Sequence, residues 1–351
     1  MRSGQYGSWA RGCCAEPAED GMNSAIMRPD RRALLGRFGA AAALLASAGP
    51  CAALAQDDRP YRIVIAFPPG GTSTATMGPL AGPLGRRLGA PVELDYRPGA
   101  GGNVATVHVV RSPPDGRTLL FGHAGPLSIN HHINPRNYFD QAKDLAPVAL
   151  VTRFPLVICV ASRLGVKTLA EFIALAKSRE LVFGSSGNGS IQHVAGEVFR
   201  LNVGFKMLHV PFSGGGPMQE ALLRGDLEVV FETGSNIITH VRAGLLTPLA
   251  VMAPERLSAL PDVPILSELG YPGLYVSAWF GLLAPAATPQ PERDKVTEAV
   301  FDVFRDEATR SLFEEMGAIP VPLGPSGFAA LIDEESDRWQ VVVRDARIRP
   351  D

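Results

Sequence analysis

From residue 61 onward the chain repeats one pattern: a short apolar run, a break rich in Gly and Pro, then a stretch with helical spacing of its apolar positions. Residues 61–67 alternate apolar and β-branched types and stop at Pro68-Pro69-Gly70-Gly71. A buried strand is therefore predicted to run into a loop that cannot be helical. A helix follows, with Thr74 as its predicted cap; Pro79 and Pro83 should make it irregular, because each removes a donor. Residues 91–96 read as the next strand, 97–102 as a loop and 103–112 as a short helix. A third strand, 118–121, comes after the turn Pro114-Asp115-Gly116.

The alternation continues. Thr168 with Glu171 three residues on makes a capping box for a helix to about residue 178. Strands are predicted at 181–183, 207–210 and 227–231, separated by loops at 184–190 and 211–217 and by helices at 191–202 and up to 224. The last third holds helices near 291–305, 307–316 and 327–345, the last capped by Ser326. Repeated βα units predict an α/β fold with parallel-rich sheets and helices on both faces. Two long apolar runs, 148–162 and 279–283, are candidate crossings between two lobes. On that reading residues 56–155 and 277–351 form one lobe and 156–276 the other.

Before residue 56 the pattern changes. Arg28, Arg31, Arg32 and Arg37 precede an apolar stretch over 38–48, and Ala53-Leu54-Ala55 follows before the polar Gln56, Asp57 and Asp58. A charged segment, a short apolar core and an A-x-A site predict an export leader, residues 1–55, cut after Ala55. Arg31-Arg32 with Ala33, Leu34 and Leu35 resembles a twin-arginine signal, although Asp30 stands where Ser or Thr is usual; general secretion is the other route. Residues 1–21 match no part of a leader, so Met22 or Met27 is an alternative start. Cys51 follows Pro50, which argues against lipidation. With Cys13, Cys14 and Cys51 removed, only Cys159 remains, so the mature chain can form no internal disulfide and no zinc–thiolate site. Without the 6 basic and 4 acidic residues of the leader, 27 and 31 remain, a net charge of about −4. No run of Lys and Arg supplies the clustered cations that a nucleic acid needs.

Three Gly-rich loops, 68–74, 184–190 and 213–217, follow strands. At the carboxyl ends of parallel strands such loops present backbone amides, and the next helix adds its positive end, which suits a carboxylate. Enzyme motifs are missing: residues 99–104 fail GxGxxG at the last position, nothing matches a P-loop, and Gly184-Ser185-Ser186-Gly187 is one residue short of a nucleophile elbow. His131-His132 reads as a solvated loop whose adjacent side chains diverge. An α/β enzyme acting on a small acid through Ser190 or His193 is the rival reading, and it would need a base, an orienting group and an oxyanion site in one cleft.

Several of these stretches together resemble one family. They are residues 67–71, 97–103 and 114–116, Ser185-Ser186-Gly187-Asn188-Gly189-Ser190 with His193-Val194-Ala195-Gly196-Glu197, His209-Val210-Pro211-Phe212, residues 259–264, and residues 279–285. In order and spacing they are similar to the Bug receptors, the extracytoplasmic solute-binding proteins of tripartite tricarboxylate transporters. The resemblance runs from about residue 60 to the last helix. It implies a periplasmic-binding-protein fold of type II, with two lobes, a crossing hinge and a ligand in the cleft. It also implies a periplasmic, monomeric receptor without cofactor or metal, which captures a small organic acid and passes it to a membrane permease or a sensor. Candidate ligand-contacting residues are Phe67, Gly70, Gly71, Ser73, Thr74, His123, Ser185, Ser186, Gly189, Ser190, His193, Ser213, Gly214 and Glu232. Against the family pattern, Thr74 stands where Asp is common, Tyr96 where Asn is, and Glu232 where Asp is. Loss of the first-loop Asp removes a counter-charge for an ammonium group and favours a plain acid over an amino acid.

Overall fold

The structure, a computed structural model, describes residues 58–134, 138–320 and 322–349; the leader lies outside the described residues. Strands β1 (Tyr61–Ile65), β2 (Val92–Tyr96) and β3 (Thr118–His123) pair in parallel with β1 in the middle. Their returns pass through α1 (Gly71–Leu88) and α2 (Asn103–Val110), as the alternating pattern predicts. Strand β4 (Leu145–Ala161) is 17 residues long and buried at all but two positions. Its first half lies antiparallel to β9 (Ser277–Pro285), which in turn pairs with β3.

The second half of β4 joins a different set of strands. It pairs antiparallel with β7 (Val229–Thr233) and β8 (Leu246–Val251). Strand β7 continues through parallel pairs to β5 (Leu181–Ser185) and β6 (Met207–Pro211). The path of strands is thus β2-β1-β3-β9-β4-β7-β5-β6, with β8 on β4. Parallel strands carry the βα repeats at both ends of the path, and the two long apolar runs supply the antiparallel strands in its middle. Helices α3 (Leu169–Ser178), α4 (Ile191–Val203), α5 (Gly215–Arg224) and α6 (Gly234–Arg242) belong to the β5–β8 side. Helices α7 (Gln290–Arg305), α8 (Glu307–Glu315) and α9 (Pro325–Ala346) close the chain. Phe328 and Trp339 of α9 are fully buried, and the Phe328 ring meets Trp279 of β9 edge-on at 5.3 Å. Burying each such ring contributes about 1.5–3 kcal/mol.

Four local expectations change. Helix α1 starts at Gly71, not at Thr74, and it runs unbroken through Pro79 and Pro83. Met77, Leu80, Leu84 and Leu88 share one buried face, and that burial outweighs the donors the two prolines remove. Thr74 caps from inside the helix instead: its hydroxyl accepts the Gly70 amide at 3.1 Å. Helix α9 begins at Pro325 with Gly324 at the cap position, displacing Ser326, because proline is preorganised for a first helical turn. His131 and His132 do not diverge. Their rings lie 3.8 Å apart, and each has its Nε2 3.0 Å from the Ser336 hydroxyl on α9. Strand β8 was not expected, since its Thr247 and Pro248 interrupt the apolar run.

Candidate functional site

Strand β1 ends beside Pro68-Pro69, and Gly70 then takes φ +93°, which carries the chain into α1. An L side chain is strained in that region, so glycine belongs there for conformational reasons. The first turn of α1 forms one wall of a cavity. Phe67, the loop from Pro68 to Gly70, His123 and Ala124 at the end of β3, and Ala278, Trp279 and Phe280 of β9 extend that wall. The facing wall comes from the other end of the strand path: Ser186 and Ser190, Ile191 and Gln192 of α4, residues 214–217 at the start of α5, and Thr233 and Asn236 at the start of α6.

Four helices therefore open onto one space. The cavity is lined by first-turn residues of α1 (Gly71, Thr72, Ser73), α4 (Ile191, Gln192), α5 (Gly215, Gly216) and α6 (Asn236). Helix geometry leaves first-turn amides without intrahelical acceptors, and each aligned helix adds a partial positive charge at this end. None of the described lining residues carries a charge at neutral pH. Negative charge is thus accommodated by backbone amides, hydroxyls and helix ends instead of by Lys or Arg. Phe67, Ile191, Trp279 and Phe280 supply the apolar part of the wall.

A hydroxyl chain ties the two walls together. Ser235 donates to Thr72 at 3.0 Å, Thr72 and Thr233 are 2.6 Å apart, and Thr233 donates to Glu232 Oε1 at 3.1 Å. Since each hydroxyl has one proton, Thr72 is the donor in the central bond. Glu232 is 1% exposed, and burial raises its pKa above the usual carboxylate range, partly countered by its bonds to Thr233 and Gln192. Ser186 donates to Gln192 Oε1 at 2.8 Å, and Gln192 reaches Glu232 at 3.4 Å, so the network continues into α4.

Of the residues chosen from sequence, Phe67, Gly70, Gly71, Ser73, His123, Ser186, Ser190 and Gly214 line this cavity. The others do not. Thr74 caps α1. Ser185 is fully buried and braces its own loop, bonding Gly187 O at 2.9 Å and His209 Nε2 at 2.6 Å. Ser213 lies on a second cavity, which shares Phe67 and Ser186 with the first. Gly189 packs against Asn130 and Ile133, and its amide donates to His193 Nδ1 at 3.3 Å. His193 stacks on His209 at 3.7 Å, and burial followed by the charges of His209 and Arg200 lowers its pKa to about 3. Glu232 sits one layer behind the wall. Thr72, Gln192 and Gly215 fall in stretches that the sequence pointed to but were not singled out, and Thr233, Asn236 and Trp279 were missed as wall residues. For Thr233 to Asn236 a signal existed: Thr-Gly-Ser-Asn directly after an apolar strand is another strand-to-helix turn.

Residues 79–348 match the profile of the tripartite tricarboxylate transporter family receptor. This chain belongs to that family. Among its relatives, protein BugT of Bordetella pertussis is 33% identical over 316 residues, spanning 89% of this chain and 96% of BugT. A solved Rhodopseudomonas palustris protein, MatC with bound malate, is 30% identical at a TM-score of 0.75, covering 81% of this receptor and 99% of MatC. R. palustris Rpa4515, solved with adipate, is 29% identical at a TM-score of 0.81, covering 84% and 99%. The receptor has the fold of the periplasmic binding proteins of this type, as its resemblance to the Bug receptors implied.

Membership removes the enzyme reading, since the family consists of solute-binding receptors. Local geometry in this receptor agrees. The Ser190 hydroxyl accepts from the His193 amide at 3.3 Å as the cap of α4, and the His193 ring faces His209 and Gly189. Neither side chain is arranged as a nucleophile with its base. His123 keeps a separate interest. Its Nδ1 accepts the Gly125 amide at 3.2 Å, which puts the proton of the neutral ring on Nε2, and Nε2 is buried without a partner among the described residues. Burial lowers the His123 pKa to about 3, so the ring on the cavity wall is neutral at physiological pH.

Proposed function

We propose that this receptor captures a small organic acid between two lobes, residues 56–155 with 277–351 and residues 156–276, and closes on it for uptake or sensing. The observation that carries the reading is the cavity wall: four helix starts meet there, and the described residues lining it include no charged side chain. An anion gains from that field, whereas an ammonium group finds no carboxylate on the wall to balance it. The malate and adipate of the two R. palustris structures are consistent with a plain mono- or dicarboxylate here too. A division near Leu156 suits the lobes, because β4 changes partners from β9 to β7 and β8 around that point. The receptor acts as a monomer, and its partner is a tripartite tricarboxylate permease or a sensor protein. It reaches the periplasm through its leader, by the twin-arginine or the general route.

A panel of malate, adipate, benzoate and aspartate tests the reading by thermal shift and intrinsic fluorescence. A cognate acid should raise the melting temperature by an amount that grows with its concentration. It should also change the fluorescence saturably at one ligand per chain, and Trp279→Phe should remove most of that signal. Preferential binding of aspartate, or chemical conversion of the acid, would sink the proposal.

A further inference from the structure

Glu232 has an oxygen that nothing on the wall uses. Its Oε1 is crowded with donors: the Thr233 amide at 2.7 Å, the Thr233 hydroxyl at 3.1 Å and the Gln192 carboxamide at 3.4 Å. Its Oε2 is buried and, among the described residues, meets no well-aligned donor, the Asn236 carboxamide being its one polar neighbour. The Asn236 carboxamide stands next to it. A side chain begun at Gly215 would lie 2.7 Å from Asn236 Nδ2 and 3.6 Å from Glu232 Oε2, while one begun at Gly71 would lie 4.0 Å from Asn236 Oδ1. Gly71, Gly215 and Asn236 all line the cavity. The carboxamide thus stands beside Glu232 at the cavity wall, with its NH2 on the Glu232 side and its oxygen toward Gly71.

The surroundings favour a neutral Glu232. From β4 the titratable neighbour is the Cys159 thiol, which burial keeps protonated by pushing its pKa up. Helix α4 presents Gln192, α5 presents Gly215, α6 presents Asn236, and α1 presents Thr72 by way of Thr233. Burial is the largest influence on its proton affinity and raises it, while hydrogen bonds from Thr233, Gln192 and Asn236 act the other way; no cation is among the main influences. A buried carboxylate without a counter-charge takes up a proton instead.

We propose that Glu232 is a positioning residue: it carries a proton on Oε2, donates it in a hydrogen bond to the Asn236 carboxamide oxygen, and so turns the Asn236 NH2 toward a bound carboxylate. The structure places the NH2 on the Glu232 side, so this arrangement requires a half-turn of the carboxamide, which exchanges its oxygen and nitrogen without changing its shape. When Glu232 is ionised, the NH2 is drawn back to Oε2 and the oxygen faces the ligand, so two acceptors oppose each other. Capture of the anion is thereby linked to one proton, and affinity falls as pH rises through the titration of Glu232. The inference rests on the carboxylate reading above and deepens it.

Two measurements decide it. The first needs no ligand: infrared difference spectra of wild type against Glu232→Gln at pH 7 should contain a protonated-carboxyl band, and a missing band overturns the proposal. The second is the dissociation constant for adipate by calorimetry from pH 6.5 to 9. His123, His193 and His209, with pKa values lowered to about 3, 3 and 4, are already neutral across that range. Wild-type affinity should weaken by up to about tenfold per pH unit once Glu232 titrates. Glu232→Gln, whose carboxamide imitates the protonated acid, should hold a flat profile and bind more tightly than wild type at pH 9. A flat wild-type profile, or the same slope in both proteins, overturns the linkage. Malate replaces adipate if adipate does not bind at pH 6.5. Benzoate serves if neither binds; should none of the three bind, the carboxylate reading falls, and the infrared band still decides the proton.

Discussion

Replacing Thr72 by Val tests whether the hydroxyl chain across the cavity is a closing contact. Valine keeps the shape of the side chain, which is 8% exposed, and removes only its hydroxyl. Two bonds go with it: 2.6 Å to Thr233 and 3.0 Å from Ser235. Ser235 lies 3.1 Å from Thr233 and can turn to it, so one to two hydrogen bonds are lost in net terms. At a central value of about 1 kcal/mol each, the cost is about 1–2 kcal/mol. Thr72 belongs to the β1–β3 side and Thr233 to the β5–β8 side, so under the proposed closure the bonds would form when the two sides meet. The cost should therefore appear as adipate affinity weakened by about 5–30-fold at 1.4 kcal/mol per factor of ten, with the melting temperature of the unliganded protein nearly unchanged. Thr72→Ser keeps the hydroxyl and should bind within about twofold of wild type by the same scale. Calorimetry and thermal melting of the three proteins would read this. Unchanged affinity in Thr72→Val refutes the reasoning. So does a melting loss with affinity intact, which would mean that the contact persists in the open form.

Gly189→Val should destabilise the protein instead of merely blocking ligand. Its side chain would start 2.4 Å from Asn130 Oδ1 and 2.7 Å from Ile133 Cδ1 at φ +69°, and left-handed strain plus overpacking costs about 2–4 kcal/mol. A melting temperature equal to wild type would contradict that placement. Acid should weaken the fold, because His123 and His193 have folded pKa values lowered to about 3 against 6.5. Their contribution is present above pH 6.5 and is lost as pH falls toward those folded values, at up to about 1.4 kcal/mol per unit for each ring. Denaturant midpoints that stay constant from pH 7 to 4.5 would disprove it. Replacing both Arg31 and Arg32 by Lys should block export by the twin-arginine route; a periplasmic double mutant assigns the leader to general secretion.

The neighbours of each residue along the chain were enough to set the local alternation. Pro68-Pro69-Gly70 cannot be helical or mid-strand whatever packs on it, and the Thr168 and Glu171 pair caps a helix through contacts three residues apart. Such preferences survive in any tertiary context, so the βα units, the three Gly-rich loops and the two central runs were legible. The family resemblance rested on the same local stretches. The cavity wall was not. Thr72 and Thr233 are 161 positions apart, and only the strand order that places β9 and β4 between the two ends of the path brings four helix starts to one space. Burial, too, is a property of what packs on a residue: it turned Glu232 from a charged loop-end into a buried acid. The same dependence brought Trp339, distant in sequence, beside Trp279 around Glu335. It also explains why Ser185, Gly189 and His193, correct in type for an anion site, spend their hydrogen bonds inside their own loop.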